Sequence, residues 1–174
     1  CWGRDNQGQV TVPVLSNPTA LAAAKTHTCA VDDTGVVCWG SNAYKRSEAP
    51  TSLLNATQIS AGVDHSCAIN ESAVAGNSVV CWGRNHKSQR KVPAGLVNPT
   101  QVSAGYIHSC AVDNNGVTCW GQQDSRSAVP ALVNPTQVSA GGFSTCAIDD
   151  NGVTCWGAPN IVNVPNLSNP TQLS

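Results

Sequence analysis

At 174 residues the chain is long enough for a real core, yet one Phe, two Tyr, no Met and only 11% charged residues leave Trp, Val, Ala and Cys to fill it. The formal net charge of -1 supplies no global field for nucleic acid or an anionic membrane, so non-specific nucleic-acid binding is not expected. No run of about twenty apolar residues occurs, and membrane insertion is not expected either.

The tripeptide Cys-Trp-Gly begins at Cys1, Cys38, Cys81, Cys119 and Cys155, a periodicity that marks a repeat protein. In chain order this gives a partial repeat over 1–19 and repeats over about 20–57, 58–100, 101–136 and 137–174, together a single repeat domain of about four and a half units. Cys1 finds no partner within the chain. Repeat phasing puts its partner in a strand just upstream, which implies a chain cut mid-repeat at both ends; the alternative is a bond to a second molecule.

Each full repeat carries a second cysteine ahead of Cys-Trp-Gly. Cys29/Cys38, Cys110/Cys119 and Cys146/Cys155 are nine apart and Cys67/Cys81 fourteen. Such spacing does not supply the Cys-x2-4-Cys knuckles of zinc sites, so no metal is expected. A hairpin turning at Asn114-Asn115 sets Asp113 opposite Gly116, Val112 opposite Val117 and Cys110 opposite Cys119. Cross-strand disulfides follow, because facing residues of an antiparallel pair come about as close as a disulfide requires. The longer second repeat keeps Ile69 and Val79 in this register and confines its extra residues to the turn. Four bridges imply an oxidising compartment: extracellular, cell surface or periplasmic.

Strand parity places Val112, Cys110 and His108 on one face with Val117 and Cys119, and Ala111 on the other with Thr118 and Trp120. Both faces are apolar, so each sheet needs a layer above and below it, as stacked blades provide. The expected fold is all-β, a β-propeller with four-stranded blades: one strand near Thr100-Ala104, two in the disulfide hairpin and one near the following Val-Pro. Asp32-Gly35, Asp113-Gly116 and Asp149-Gly152 have the residues that tight turns favour.

The recurring SAGxxHSCAVDxxGVxCWG frame (Ser103 to Gly121 is one copy), with Asn6-Gln7-Gly8-Gln9 and Val12-Pro13, resembles the repeats of the regulator of chromosome condensation family in a short bacterial, secreted form with paired cysteines. The resemblance implies a β-propeller, commonly of seven blades, of which this chain would be a part. It does not carry over nucleotide exchange or chromatin binding, because no matching partner-binding residues are present. Secreted bacterial members include a protein inhibitor of β-lactamase, similar to this chain in repeat architecture only.

His27, His65 and His108 stand two residues before the first cysteine, with Ser144 at the fourth position. Their recurrence favours a structural role, each ring hydrogen-bonded to backbone within its own blade. No nucleophile elbow, phosphate loop or His-Glu-x-x-His motif is present, so no catalytic residue and no cofactor is expected and the chain is read as a non-enzyme. An enzyme with a composite site on a propeller face is the weakest alternative.

After each Cys-Trp-Gly the repeats diverge, and these stretches hold eight of the nine basic residues, while Asp32, Asp33, Glu71, Asp113, Asp149 and Asp150 lie near the hairpin turns. The two groups occupy opposite ends of the hairpins. A partner surface is expected around Tyr44, Lys45, Arg46, Arg84, His86, Lys87, Arg90 and Lys91. The function expected is an extracellular structural or adhesive module, bound to a protein partner or to further copies of itself. The alternative is a soluble inhibitor of an extracellular enzyme.

Overall fold

The computed structural model describes residues 1–71, 76–158, 164, 165, 167 and 170–173. The expected loop divergence over 159–163, part of the second-repeat insertion (72–75) and parts of the last repeat lie outside them.

Among the described residues, twelve strands form four antiparallel sheets: β1 (Ala20–Ala23), β2 (His27–Asp32), β3 (Gly35–Gly40); β4 (Ala56–Ala61), β5 (His65–Asn70), β6 (Ser78–Gly83); β7 (Gln101–Ala104), β8 (His108–Asp113), β9 (Gly116–Gly121); β10 (Gln137–Ala140), β11 (Ser144–Asp149), β12 (Gly152–Gly157). Each sheet is one repeat, and each runs in chain order. The first strands of successive sheets are neighbours, so they form the inner edge from which the blades fan out.

Blades have three strands among the described residues, where four were expected. The stretch near Val-Pro turns instead of pairing: Lys91 N–H donates to Ser88 O and Val92 N–H to Arg90 O, and Pro93 has no N–H to offer a ladder. Val92 and Val129 are still used, packed against the apolar clusters between blades.

Within the hairpins Cys29 faces Cys38, Cys67 faces Cys81, Cys110 faces Cys119 and Cys146 faces Cys155. All four pairs are disulfides, with Cα atoms 4.0–4.1 Å apart. Ile69 opposes Val79 and Asn70 opposes Ser78, so the longer second hairpin keeps the register of its siblings.

The core lies between blades, and every layer is assembled alike. The disulfide face of one blade meets the tryptophan face of the next: Cys29, Val31 and Cys38 pack with Ile59, Ala68 and Trp82. Cys67, Ile69 and Val79 pack with Val102, Ala111 and Trp120, and Cys110, Val112 and Cys119 with Val138, Ala147 and Trp156. Burying each such set contributes roughly 25 cal/mol per Å² of apolar surface removed from water. Leu21, which corresponds to buried Ile59, Val102 and Val138, is 59% exposed on the tryptophan face of the first blade.

Polar groups stitch the same interfaces. Gln58 Oε1 accepts from Val102 N–H at 2.6 Å and Ser60 Oγ from Ala104 N–H at 3.0 Å, joining the unpaired edge of β7 to the blade before it. Gln101 and Ser103 repeat both bonds to Val138 and Ala140. At the hairpin end, Asp32, Asp113 and Asp149 accept from Ser16, Val97 and Val133 N–H and also from the amide two residues ahead. These acids close Asx turns and hold the incoming linker, which is a structural use of the Asp-Gly pattern.

Close approach of the blades depends on glycine at Gly62 and Gly105. Val63 N–H donates to Gly105 O, and Tyr106 N–H to Gly141 O. A Cβ on Gly105 would lie 2.5 Å from Gly141 O and 2.8 Å from His108 Cε1. Gly105→Ala is therefore expected to cost about 1–3 kcal/mol in chemical denaturation, as overpacking does in tight cores. An unchanged midpoint would show that the turns can separate freely.

A candidate protein-binding end of the blades

Because the hairpins are antiparallel, the loop after each third strand emerges beside the turn between the first and second strands. His27 pairs with Gly40, and His108 with Gly121. One end of the molecule therefore carries the four inner turns and the loops that follow Cys-Trp-Gly. The Asp-Gly hairpins form the other end.

The divergent loops have a common anchor that sequence reasoning missed. Each crosses to the next blade and presents one backbone carbonyl to its tryptophan: Trp39 Nε1–H donates to Gln9 O, Trp82 to Arg46 O, Trp120 to Gln89 O and Trp156 to Arg126 O, at 2.9–3.0 Å. The hydroxyls of Thr28, Ser109 and Thr145 donate to the Gln9, Gln89 and Arg126 carbonyls as well.

The histidines join this network across blades rather than to backbone within their own. His27 Nε2 lies 2.8 Å from Ser66 Oγ, His65 Nε2 2.8 Å from Ser109 Oγ, and His108 Nε2 2.8 Å from Thr145 Oγ1. Since Ser109 and Thr145 already donate to carbonyls, they accept from the imidazole, which fixes the Nε2–H tautomer in His65 and His108. All three rings are fully buried, and their Nδ1 atoms have no hydrogen-bond partner among the described residues. Burial pushes His27 down to about 4, with the Arg46 charge adding to it; burial likewise takes His65 to about 3 and, with Arg126 nearby, His108 to about 4. The imidazoles are neutral structural groups at neutral pH.

The residues expected to form a partner surface divide into two sets. Arg46 is buried and belongs to the scaffold: its guanidinium pairs with Asp64 at 2.8 Å and donates to Ala43 O, Thr26 Oγ1 and Val63 O. Its side chain was read as surface because the loop is polar, but the loop folds inward over the next blade. Tyr44 stays outside at 53% exposure, with the Arg84 guanidinium 4.6 Å and that of Arg46 5.7 Å from its ring centre. Arg84 is held in turn by Asp64 Oδ2 at 3.0 Å. Lys45 reaches Glu48 at 3.5 Å, an exposed pair of little energetic weight. His86, Lys87, Arg90 and Lys91 are exposed on the next loop, with His86 Nδ1 3.4 Å from Gln89 Nε2.

A second cluster lies on the same end. Tyr106 and Phe143 meet edge to face, ring centres 6.3 Å apart, and the Arg126 guanidinium sits 5.6 Å from the Phe143 ring while paired with Asp124. Hydrogen bonding from Arg126 holds the Asp124 carboxyl below the ordinary carboxylate range. Phe143 is 57% exposed. Between the inner turns Lys25, Val63, Tyr106 and Gly142 help line a shallow cavity of about 230 Å³. Tyr106 and Phe143 were not singled out from sequence, although they occupy the varying positions between Ala-Gly and the cysteine strand.

The fold and this end together define a repeat protein of propeller-blade type that displays loops from a rigid scaffold. Residues 100–126, which hold the third sheet, match the model of the regulator of chromosome condensation (RCC1) repeat. No curated protein matches the sequence. Among solved structures it is similar to the ectodomain of the Physcomitrella patens receptor kinase CR4, with 28% identity, a TM-score of 0.70 and coverage of 94% of this chain and 48% of that one. The ectodomain of the Arabidopsis thaliana receptor kinase ACR4 is 23% identical, with a TM-score of 0.60, covering 82% and 50%. Yeast RCC1 (Prp20), solved bound to Kap60, is 20% identical with a TM-score of 0.71, covering 84% and 45%. The chain thus spans about half the length of these structures.

Proposed function

We propose that the chain is an extracellular, non-enzymatic scaffold that recognises a protein partner through its loop end. The carrying observation is the placement of Tyr44, Tyr106 and Phe143: every Tyr and Phe in the sequence stands at this end, while the cores between blades use none. Aromatic and arginine side chains held in place before contact are the residues that dominate binding energy at protein interfaces. The likeness to receptor-kinase ectodomains and four disulfides support an extracellular setting. The non-enzymatic reading is supported by how the titratable groups are committed, His27, His65 and His108 to hydroxyls and Asp64 and Asp124 to arginines. The same rigid aromatics favour the second reading, an inhibitor that lays this end over the cleft of an extracellular enzyme.

A photo-crosslinking residue at Phe143 or Tyr44, expressed in the source organism, should yield a discrete protein adduct that the same residue at Asn151 does not. Equal labelling from both ends, or none, would remove the reading. Alkylation of the native protein without reductant should modify Cys1 alone, because Cys1 is exposed and the other eight cysteines are bridged. Modification of all nine would argue against an oxidising compartment.

A further inference from the structure

Charge is sorted between the two ends far more completely than the near-zero total suggests. All nine basic residues lie at the loop end: Lys25 in an inner turn, and the others on the loops after the first four of the five Cys-Trp-Gly copies. Four acids accompany them, Asp5, Glu48, Asp64 and Asp124, so this end carries a formal net charge of +5. The remaining six acids sit at the hairpin end, where no basic residue occurs, giving -6 and the total of -1.

Three of the four acids at the loop end are paired with basic side chains, Glu48 with Lys45 among them. Asp64 is spent on Arg46 and Arg84, and Asp124 on Arg126. Asp5 accepts from Val10 N–H and Thr11 Oγ1. Lys25, Lys87, Arg90 and Lys91 are exposed and, among the described residues, have no acidic side chain within ion-pair distance. These cations lie at the same end of the molecule as the exposed Tyr44 and Phe143, whose rings are held by Arg84 and Arg126.

We infer that the loop end is a docking surface for an acidic polypeptide segment, with Tyr44 and Phe143 as apolar anchors and Lys25, Lys87, Arg90 and Lys91 supplying the attraction. The inference rests on the protein-recognition reading above and adds the chemistry of the partner. A second copy presenting its acidic end is the less suited occupant, because five of those six carboxylates are already hydrogen-bonded within their own chain. Asp32, Asp113 and Asp149 hold backbone amides, Asp33 is bonded to Ser16 and Asn17, and Asp150 to Asn134. A sulfated glycan would meet the cations but gain little from the two protruding aromatics, whose payload is apolar contact.

The test is fluorescence anisotropy of a labelled oligoglutamate peptide with the full chain, at low and physiological salt. Saturable binding that weakens with salt is expected, since exposed charges are screened. Lys87→Glu, Arg90→Glu and Lys91→Glu together should weaken it by about tenfold or more, as opposite-sign steering is replaced by like-charge contact. Asp33→Asn with Asp150→Asn should leave it unchanged. Any of three results overturns the inference: no saturable binding, insensitivity to the charge reversal, or tighter binding of a size-matched heparin oligosaccharide. Concentration-dependent sedimentation abolished by Asp33→Asn with Asp150→Asn would also overturn it, by assigning the surface to a second copy. Discrete crosslinks from Phe143 without oligoglutamate binding would sink the acidic partner alone, whereas loss of those crosslinks sinks the recognition reading itself.

Discussion

Full reduction of the four disulfides is expected to abolish cooperative folding at room temperature. Each bridge closes a short loop, and on the chain-entropy model a closure of about ten residues contributes roughly 2.7 kcal/mol. Four of them supply on the order of 11 kcal/mol, comparable with the total stability of about 5–15 kcal/mol found for most domains. The loss should be graded rather than uniform. Cys29, Cys67 and Cys110 are fully buried beneath Trp82, Trp120 and Trp156 of the following blade, while their partners Cys38, Cys81 and Cys119 are half-buried, as are both Cys146 and Cys155. A reductant needs access to sulfur, so the Cys146–Cys155 bridge, half-buried at both cysteines, should open before the other three, each half-buried at one cysteine only. Guanidinium unfolding with and without reductant, with mass spectrometry of alkylated intermediates, measures both. A reduced chain with an unshifted midpoint would mean that inter-blade packing alone holds the fold.

Removing one bridge as Cys110→Ala with Cys119→Ala is a milder version and leaves its neighbours in place. It should cost about 2–5 kcal/mol, the range seen when native disulfides are removed from small domains. Thermal unfolding reports it.

What could be read from the sequence was whatever the side chains themselves encode. The spacing of Cys110 and Cys119 around Asn114-Asn115 fixes which residues face each other, and alternation fixes which share a face; both recur in the pairing of β8 with β9. The anchoring of the loops was not legible, because the acceptor for each tryptophan is a backbone carbonyl. Gln9, Arg46, Gln89 and Arg126 need share no side chain to make the same bond, so loops that repeat in geometry diverge in sequence. The histidine bond was missed for a different reason. Its partner lies one blade away, 37 to 44 residues along the chain, and a hydroxyl beside the cysteine at Ser66, Ser109 or Thr145 carries no mark of the contact. Arg46 was misread because burial of a charge depends on Asp64 and on the Thr26 and Val63 acceptors arriving together, which only the packed blades provide.

Stability should fall steeply on acidification, beginning well above the carboxylate range. The unfolded chain takes up protons on His27, His65 and His108 near the ordinary imidazole value of 6.5, whereas the folded chain holds them off until about 4, 3 and 4. Between those limits the unfolded state binds more protons, so folding free energy is lost as pH falls and is complete again above 6.5. Each buried imidazole contributes up to about 1.36 kcal/mol per pH unit in this window, so the three together approach 4 kcal/mol per unit. The charges facing the rings do not relieve this. Arg46 opposes protonation of His27 more than Asp64 favours it and Arg126 that of His108 more than Asp124 favours it, while for His65 the other two histidines oppose it more than Asp64 favours it. Asp32 and Asp124, held low by hydrogen bonds, would add to the loss only at still lower pH. His108→Gln separates the imidazole effect from general acid unfolding, because Gln can still donate an N–H to Thr145 yet does not titrate. Its dependence of unfolding free energy on pH between about 6 and 5 should be shallower by about a third. Equal slopes in wild type and His108→Gln would show that His108 is not what the proton attacks, and that the blades open in acid for another reason.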